Sequence, residues 1–293
     1  MARVLIAGCG YVGIQLGLEL AEKGHHVWGL RRRIEALPPS IQPLAADLSE
    51  PSSLEDLPPG LDYVVYATAA DGSAESAYRA AYLEGPGHLL DTLVRLEERP
   101  RRVFFLSSTA VYGQKNGEWV DEESPTEPTS TNGGILLAGE RRVLSGPYPA
   151  TILRLGGIYG PGRRRLIRLV EAGEATIDPE VSLFTNRIHR NDAAGMLAHL
   201  IALDEQASQG RGAPPTQMYV GVDREAAERQ VVLDWLAEQL GVAKPRRAQG
   251  TQASPRRRGG NKRCRSDRIL ASGYRFRYET FRDGYGEMLT QGR

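Results

Sequence analysis

One short run constrains this chain more than any other: Gly8-Cys9-Gly10-Tyr11-Val12-Gly13, a G-x-G-x-x-G set directly after the aliphatic run Arg3–Ala7. The first glycine permits a tight turn, the second lets backbone approach a pyrophosphate, and the third lets a helix pack closely on the strand. Val12, Leu16 and Leu20 then recur at helical spacing, and Gly24 stands where a helix C′ residue belongs. A second apolar run begins at Val27. Strand, glycine turn, helix and strand together predict a dinucleotide site with its phosphates on the helix N-terminus. Gly8, Gly10, Tyr11, Val12 and Gly13 are the first candidate contacts.

The end of the second strand selects the dinucleotide. A site for NAD places an acid there for the ribose 2′-hydroxyl. This chain instead reads Leu30-Arg31-Arg32-Arg33, with no acid before Glu35. Guanidinium groups bind phosphate through two parallel hydrogen bonds, so Arg31 and Arg32 point to NADP rather than NAD. Asp47 and Leu48, after a third apolar run, are candidates for the adenine edge. Ala67, Thr68 and Ala69 end a fourth run in small residues, as a strand passing close to a bound cofactor would.

Further apolar runs at Val103–Leu106 and Thr151–Leu155 alternate with helix-like stretches at Ser76–Leu96 and Ile135–Leu144. Alternation of this kind predicts an α/β fold with a Rossmann-type, doubly wound parallel sheet. The expected division is a dinucleotide-binding domain over residues 1–165 and a smaller substrate-side region over 166–293. In that region a strand near 218–222 is expected to return to the main sheet, and Glu228–Leu240 reads as an amphipathic helix. The 293 residues carry a formal charge of +1 and only two cysteines. A disulfide framework or a Cys-based zinc site is therefore not expected, and neither membrane nor nucleic acid is implied as the main partner. The five histidines show no metal-ligand spacing. The start of the chain reads as strand and turn rather than as a signal peptide, and the expectation is a cytoplasmic protein.

Several longer stretches resemble the extended short-chain dehydrogenase/reductases, the family of NAD-dependent epimerases and dehydratases. They are the glycine turn, Asp47-Leu48, Tyr66–Ala70, Phe105-Leu106-Ser107-Ser108-Thr109-Ala110-Val111-Tyr112-Gly113 and Leu153-Arg154-Leu155-Gly156-Gly157-Ile158-Tyr159-Gly160-Pro161-Gly162. Asn186–Asp192, Asn261–Cys264 and Leu270–Tyr274 extend the likeness toward the C-terminus. The resemblance implies chemistry on a sugar or nucleotide-linked small molecule, and a homodimer formed through the helices near Ser76–Leu96 and Ile135–Leu144.

The catalytic pattern of that family is incomplete here. It uses a hydroxyl, a tyrosine and a lysine four residues after the tyrosine, whose cation lowers the phenol pKa. Ser108 matches the hydroxyl. Asn132 takes the tyrosine position and Leu136 the lysine position. The chain's only lysines are Lys23, Lys115, Lys244 and Lys262, and no tyrosine stands four residues before any of them. A tyrosine without such a cation keeps a pKa near roughly 10 and is a poor base at neutral pH. The remaining candidates are Ser108, which could bond a substrate oxygen, Tyr112, whose phenol could replace the acid, and His189, a general acid by type. Each also has a packing role open to it. Tyr159 with Arg163 is a further pairing.

Ten basic residues and one acid lie between Lys244 and Arg268. The segment around 245–262 reads as a mobile solvated loop, as a clamp on a substrate phosphate through Lys262 and Arg263, or as a weak nucleic-acid patch. The absence of interleaved aromatics argues against a base-stacking platform. Two functions remain open: an NADP-dependent oxidoreductase or epimerase with a non-standard site, and a non-catalytic NADP-binding sensor or partner-binding module. A pocket plugged by Leu136 would favour the second.

Overall fold

Strands buried on both faces build the central sheet. In the computed structural model, which describes residues 1–178, 182–247 and 260–290, the chain opens with β1 (Arg3–Ala7), α1 (Tyr11–Glu22), β2 (His26–Arg31) and β3 (Gln42–Ala45). Then follow β4 (Tyr63–Tyr66), α2 (Glu75–Arg79), α3 (Gly85–Arg95), β5 (Arg102–Ser108), β6 (Glu118–Val120), α4 (Thr131–Leu144) and β7 (Ala150–Leu155). The second half holds β8 (Gly157–Tyr159), α5 (Arg165–Glu171), β9 (Thr176–Ile177), β10 (Phe184–Thr185), β11 (Arg187–His189), α6 (Arg190–Ser208) and β12 (Met218–Gly221). It continues with β13 (Ala227–Glu228), α7 (Arg229–Leu240), β14 (Arg246–Arg247), β15 (Lys262–Cys264), α8 (Asp267–Ala271) and α9 (Phe281–Thr290).

Seven strands pair in the order β12-β7-β5-β4-β1-β2-β3, all parallel. Because successive side chains alternate faces, Val4 and Ile6 join a core with Leu16 and Leu20 of α1 and Leu197, Leu200 and Ile201 of α6. Leu5 and Ala7 face the other way, onto Leu89, Leu90 and Leu93 of α3 and Val143 of α4. Each fully buried leucine contributes about 1.5–3 kcal/mol. The strand order reverses between β1 and β4, and a doubly wound sheet opens its ligand crevice at such a switch point.

Three details refine the expected organisation. The strand near 218–222 does join the main sheet, beside β7, and α6 is packed into the core on α1. Division at residue 165 therefore does not separate sheet from appendage. The stretch Ser76–Leu96 is not one regular helix, because a π-helical turn over Ala80–Glu84 separates α2 from α3. Helix α4 begins four residues before Ile135, since Ser130 caps it by accepting the Gly133 amide through its side chain. Most of the expected basic loop lies outside the described residues; its flanks form β14 on β9 and β15 on β6. Among the described residues no helix is long and apolar enough to cross a membrane.

Candidate functional site

A cavity of about 880 Å³ runs along the C-terminal ends of the parallel strands. Its floor is the glycine turn. Gly8 has φ +78°, and a Cβ there would collide with Thr68 at the end of β4. The amides of Gly8 and Cys9 both donate to Leu30 O at 3.0 Å, which ties the turn to β2. Gly13 lets α1 settle on β1, where a Cβ would stand 2.9 Å from Ile6 Cγ2. No side chain caps the N-terminus of α1. Its first-turn amides open beside Gly10, Tyr11 and Val12, which line the cavity. The uncapped turn is suited to phosphate oxygens. Thr68 Oγ1 is buried without a hydrogen-bond partner among the described residues, and its neighbours Ala67 and Ala69 also line the space. Cys9 is buried under the turn, and burial pushes its thiol up to about 12, so it is not a nucleophile.

Arg31, Arg32 and Arg33 form one end of the cavity. Arg31 Nη1 donates to Cys9 O at 3.3 Å. Arg32 pairs with Asp71, a residue that no sequence motif marked, and both side chains are largely exposed. Asp47 and Leu48 lie at the same end. The Asp47 carboxylate accepts from the Ser49 amide at 3.0 Å and from its hydroxyl at 2.7 Å, and these bonds hold it below the usual carboxylate range. A dinucleotide fits this donor set, with guanidinium groups at one end and the first-turn amides of α1 in the middle.

Ser108, Leu155, Gly156, Ile158 and Arg163 form the opposite end. Ser108 Oγ accepts the Ala110 amide at 3.2 Å. A hydroxyl that accepts from backbone still has its proton to donate, so capping and ligand binding are compatible here. Ala77, Ala80, Ala81 and Tyr82 add a wall from α2 and the π-helical turn. Nothing in the local sequence marks them, because their role arises only when the helix folds over the sheet.

The other two catalytic candidates do not reach the cavity. Tyr112 is buried, its hydroxyl donating to Asp121 O at 2.7 Å and accepting from Arg154 Nη1 at 2.9 Å. Burial outweighs the nearby arginine and pushes the phenol up to about 12. The residue anchors a buried network in which Ser107 donates to Glu140 at 2.5 Å and Arg154 grips the same carboxylate, at 2.7 Å through Nη2. His189 ends β11 and accepts the Asn191 amide through Nδ1 at 3.3 Å, capping α6. Burial lowers its pKa to about 4, leaving it neutral and unsuited to act as an acid near pH 7. Tyr159 packs on Tyr285 and His189 and is likewise off the cavity. Lys262 donates to Tyr112 O at 2.9 Å and Arg263 to Gly117 O at 2.7 Å, both apart from the cavity. Leu136 packs with Val111 and Val220 and plugs nothing. Asn132 donates to Ser73 O at 3.1 Å.

The NAD-dependent epimerase/dehydratase family model matches residues 4–192, a span that contains the end of β1, the glycine turn and every strand end on the cavity. The chain belongs to this family. Protein YeeZ of Escherichia coli K12 is 30% identical over 216 residues, covering 69% of this chain and 73% of that one. A Methylobacillus flagellatus protein, provisionally described as an NAD-dependent epimerase/dehydratase, is 37% identical with a TM-score of 0.81, covering 100% of this chain and 99% of that one. The fold is shared as well with the human epimerase family protein SDR39U1, solved with NADPH, at 18% identity and a TM-score of 0.77 over 98% and 99% of the two chains. This family member keeps the NAD(P)-binding architecture of extended short-chain dehydrogenase/reductases while its sequence lacks the tyrosine–lysine pair.

Proposed function

We propose that the chain binds NADP(H) and acts as an oxidoreductase or epimerase on a sugar-like or nucleotide-linked small molecule. The observation that carries this reading is the continuity of one cavity from Arg31, Arg32 and Arg33, across the glycine turn, to Ser108. The dinucleotide would supply hydride-transfer chemistry. Arg31 with its neighbours would hold the 2′-phosphate, the first turn of α1 the diphosphate, and Ser108 a substrate oxygen beside the nicotinamide. The human structural relative was solved with NADPH, which agrees with the arginine end.

A second reading has an observation of its own. Neither lysine nor histidine lines the cavity, and two of its tyrosines, Tyr11 and Tyr66, donate their hydroxyls to backbone carbonyls. That arrangement suits a protein that binds the dinucleotide without turnover. The discriminating experiment offers NADPH-loaded protein a panel of sugar and nucleotide-sugar carbonyl compounds and follows loss of reduced nicotinamide absorbance. Turnover that falls roughly 100-fold or more in Ser108→Ala, with NADPH binding unchanged, supports the enzyme. Tight binding with no turnover across the panel supports the sensor.

A further inference from the structure

The turn after β8 carries a charge arrangement that the cofactor motif does not explain. Gly160 has φ +141°, and a Cβ there would lie 3.0 Å from both Tyr11 Oη and His189 Nε2. The turn can therefore sit down on Tyr11 only as glycine, and Tyr11 Oη fastens it by donating to Pro161 O at 2.9 Å. A bridge from Gly160 to Arg163 closes the turn. As a result Arg163 Cζ lies 4.1 Å from the centre of the Tyr11 ring, and Arg190 Cζ lies 5.0 Å from the same ring.

Two guanidinium groups thus share one aromatic ring, and among the described residues neither has an ion-pair partner. Arg190 bonds only the neutral Asn191 side chain, at 3.3 Å. Cation–π attraction is worth about 0.5–1 kcal/mol at exposed sites and does not neutralise two like charges. Tyr11 is the first residue of the uncapped helix α1, so the helix dipole adds positive potential at the same place. Arg163 itself lines the cavity. Three positive sources converge at the Tyr11 ring, while Glu287 acts on the neighbouring His189.

We infer that Arg163, with Arg190 behind it, is a second arginine site in the cavity, binding the diphosphate of the dinucleotide from the side opposite the glycine turn. This rests on the NADP(H) reading above. It divides the work between two arginine groups: Arg31 to Arg33 sense the 2′-phosphate and set selectivity, whereas Arg163 senses the diphosphate common to NADPH and NADH and sets affinity without selectivity. Tyr11 is the platform that aims the guanidinium.

The test compares wild type and Arg163→Ala with three ligands: NADPH, NADH and adenosine 2′-monophosphate, which has no diphosphate. Arg163 is exposed on a turn, so the variant keeps its fold, and an unchanged melting temperature checks this. The expected result is a roughly tenfold or greater loss of affinity for both dinucleotides by the same factor, with adenosine 2′-monophosphate binding unaltered and Arg163→Lys partly restoring the loss. Unchanged dinucleotide affinity overturns the inference, as does a loss confined to NADPH. A loss of turnover alone, with cofactor affinity intact, also overturns it and assigns Arg163 to a substrate anion. Wild-type protein that binds neither dinucleotide overturns the NADP(H) reading itself, and the inference with it.

Discussion

At the scale of single residues, direction decides function more than position in a motif does. Ser108 and Tyr112 lie four residues apart in one motif-like stretch, yet only Ser108 faces the cavity. The short 3₁₀ turn over Thr109–Val111 sends the phenol of Tyr112 toward Arg154 instead. His189 follows a family-like strand, but its ring caps α6. Such directions depend on tertiary partners far along the chain and leave no local trace, which is why Asp71 and Tyr82 were illegible in the sequence and Arg163 was marked only as a pairing for Tyr159. The glycine turn and the arginines after β2 were legible, because each draws its meaning from its own strand end. Arg31→Asp should weaken NADPH binding roughly 10- to 100-fold through loss of charge-assisted hydrogen bonds, while NADH binding changes far less. Equal effects on both cofactors, measured by nicotinamide fluorescence, would remove Arg31 from the 2′-phosphate role.

At the scale of elements, α4 is fixed to the sheet by a buried ion pair rather than by apolar contact alone. Glu140 of α4 is 1% exposed and Arg154 of β7 is 5% exposed, and the pair is joined by Ser107 of β5 and by Tyr112. Removing one partner strands the other charge in the interior. Arg154→Met should therefore destabilise the fold by about 3–5 kcal/mol, read as a shift in the urea midpoint. A change below about 1 kcal/mol would show that the network carries no net stability. The strands of the first half were readable as short continuous apolar runs because they are buried on both faces, and the helices from the spacing of the residues they bury on the sheet. The π-helical turn at Ala80–Glu84 was not, since Ala-rich sequence favours an uninterrupted helix, whereas here the Tyr66 hydroxyl of β4 donates to Ala81 O within the turn at 2.7 Å.

Across the whole molecule, the second half encloses titratable groups whose effects oppose one another. Burial raises Asp223 to about 7, with Arg187 the main opposing charge and Glu225 and Asp192 adding to the rise. Its folded state holds a proton that the unfolded chain releases near pH 4, so this group's contribution to stability falls as pH rises from about 4 to 7. His189 is lowered to about 4 by burial and by Arg190 and Arg277, against Glu287. The unfolded chain then holds the extra proton between about pH 4 and 6.5, so its contribution rises over that window. The two slopes offset. Asp223→Asn should unmask stability that increases with pH between about 4 and 6.5, followed by urea denaturation at several pH values; a pH profile parallel to wild type would contradict this. The central claim, that one cavity of this family member is built for a 2′-phosphorylated dinucleotide, is tested most directly by titrating the purified protein with NADPH and NADH under the same conditions. Tight binding of NADPH with a clear preference over NADH is the expected result; equal affinity for the two, or binding of neither, would rule that cavity out as a 2′-phosphate site.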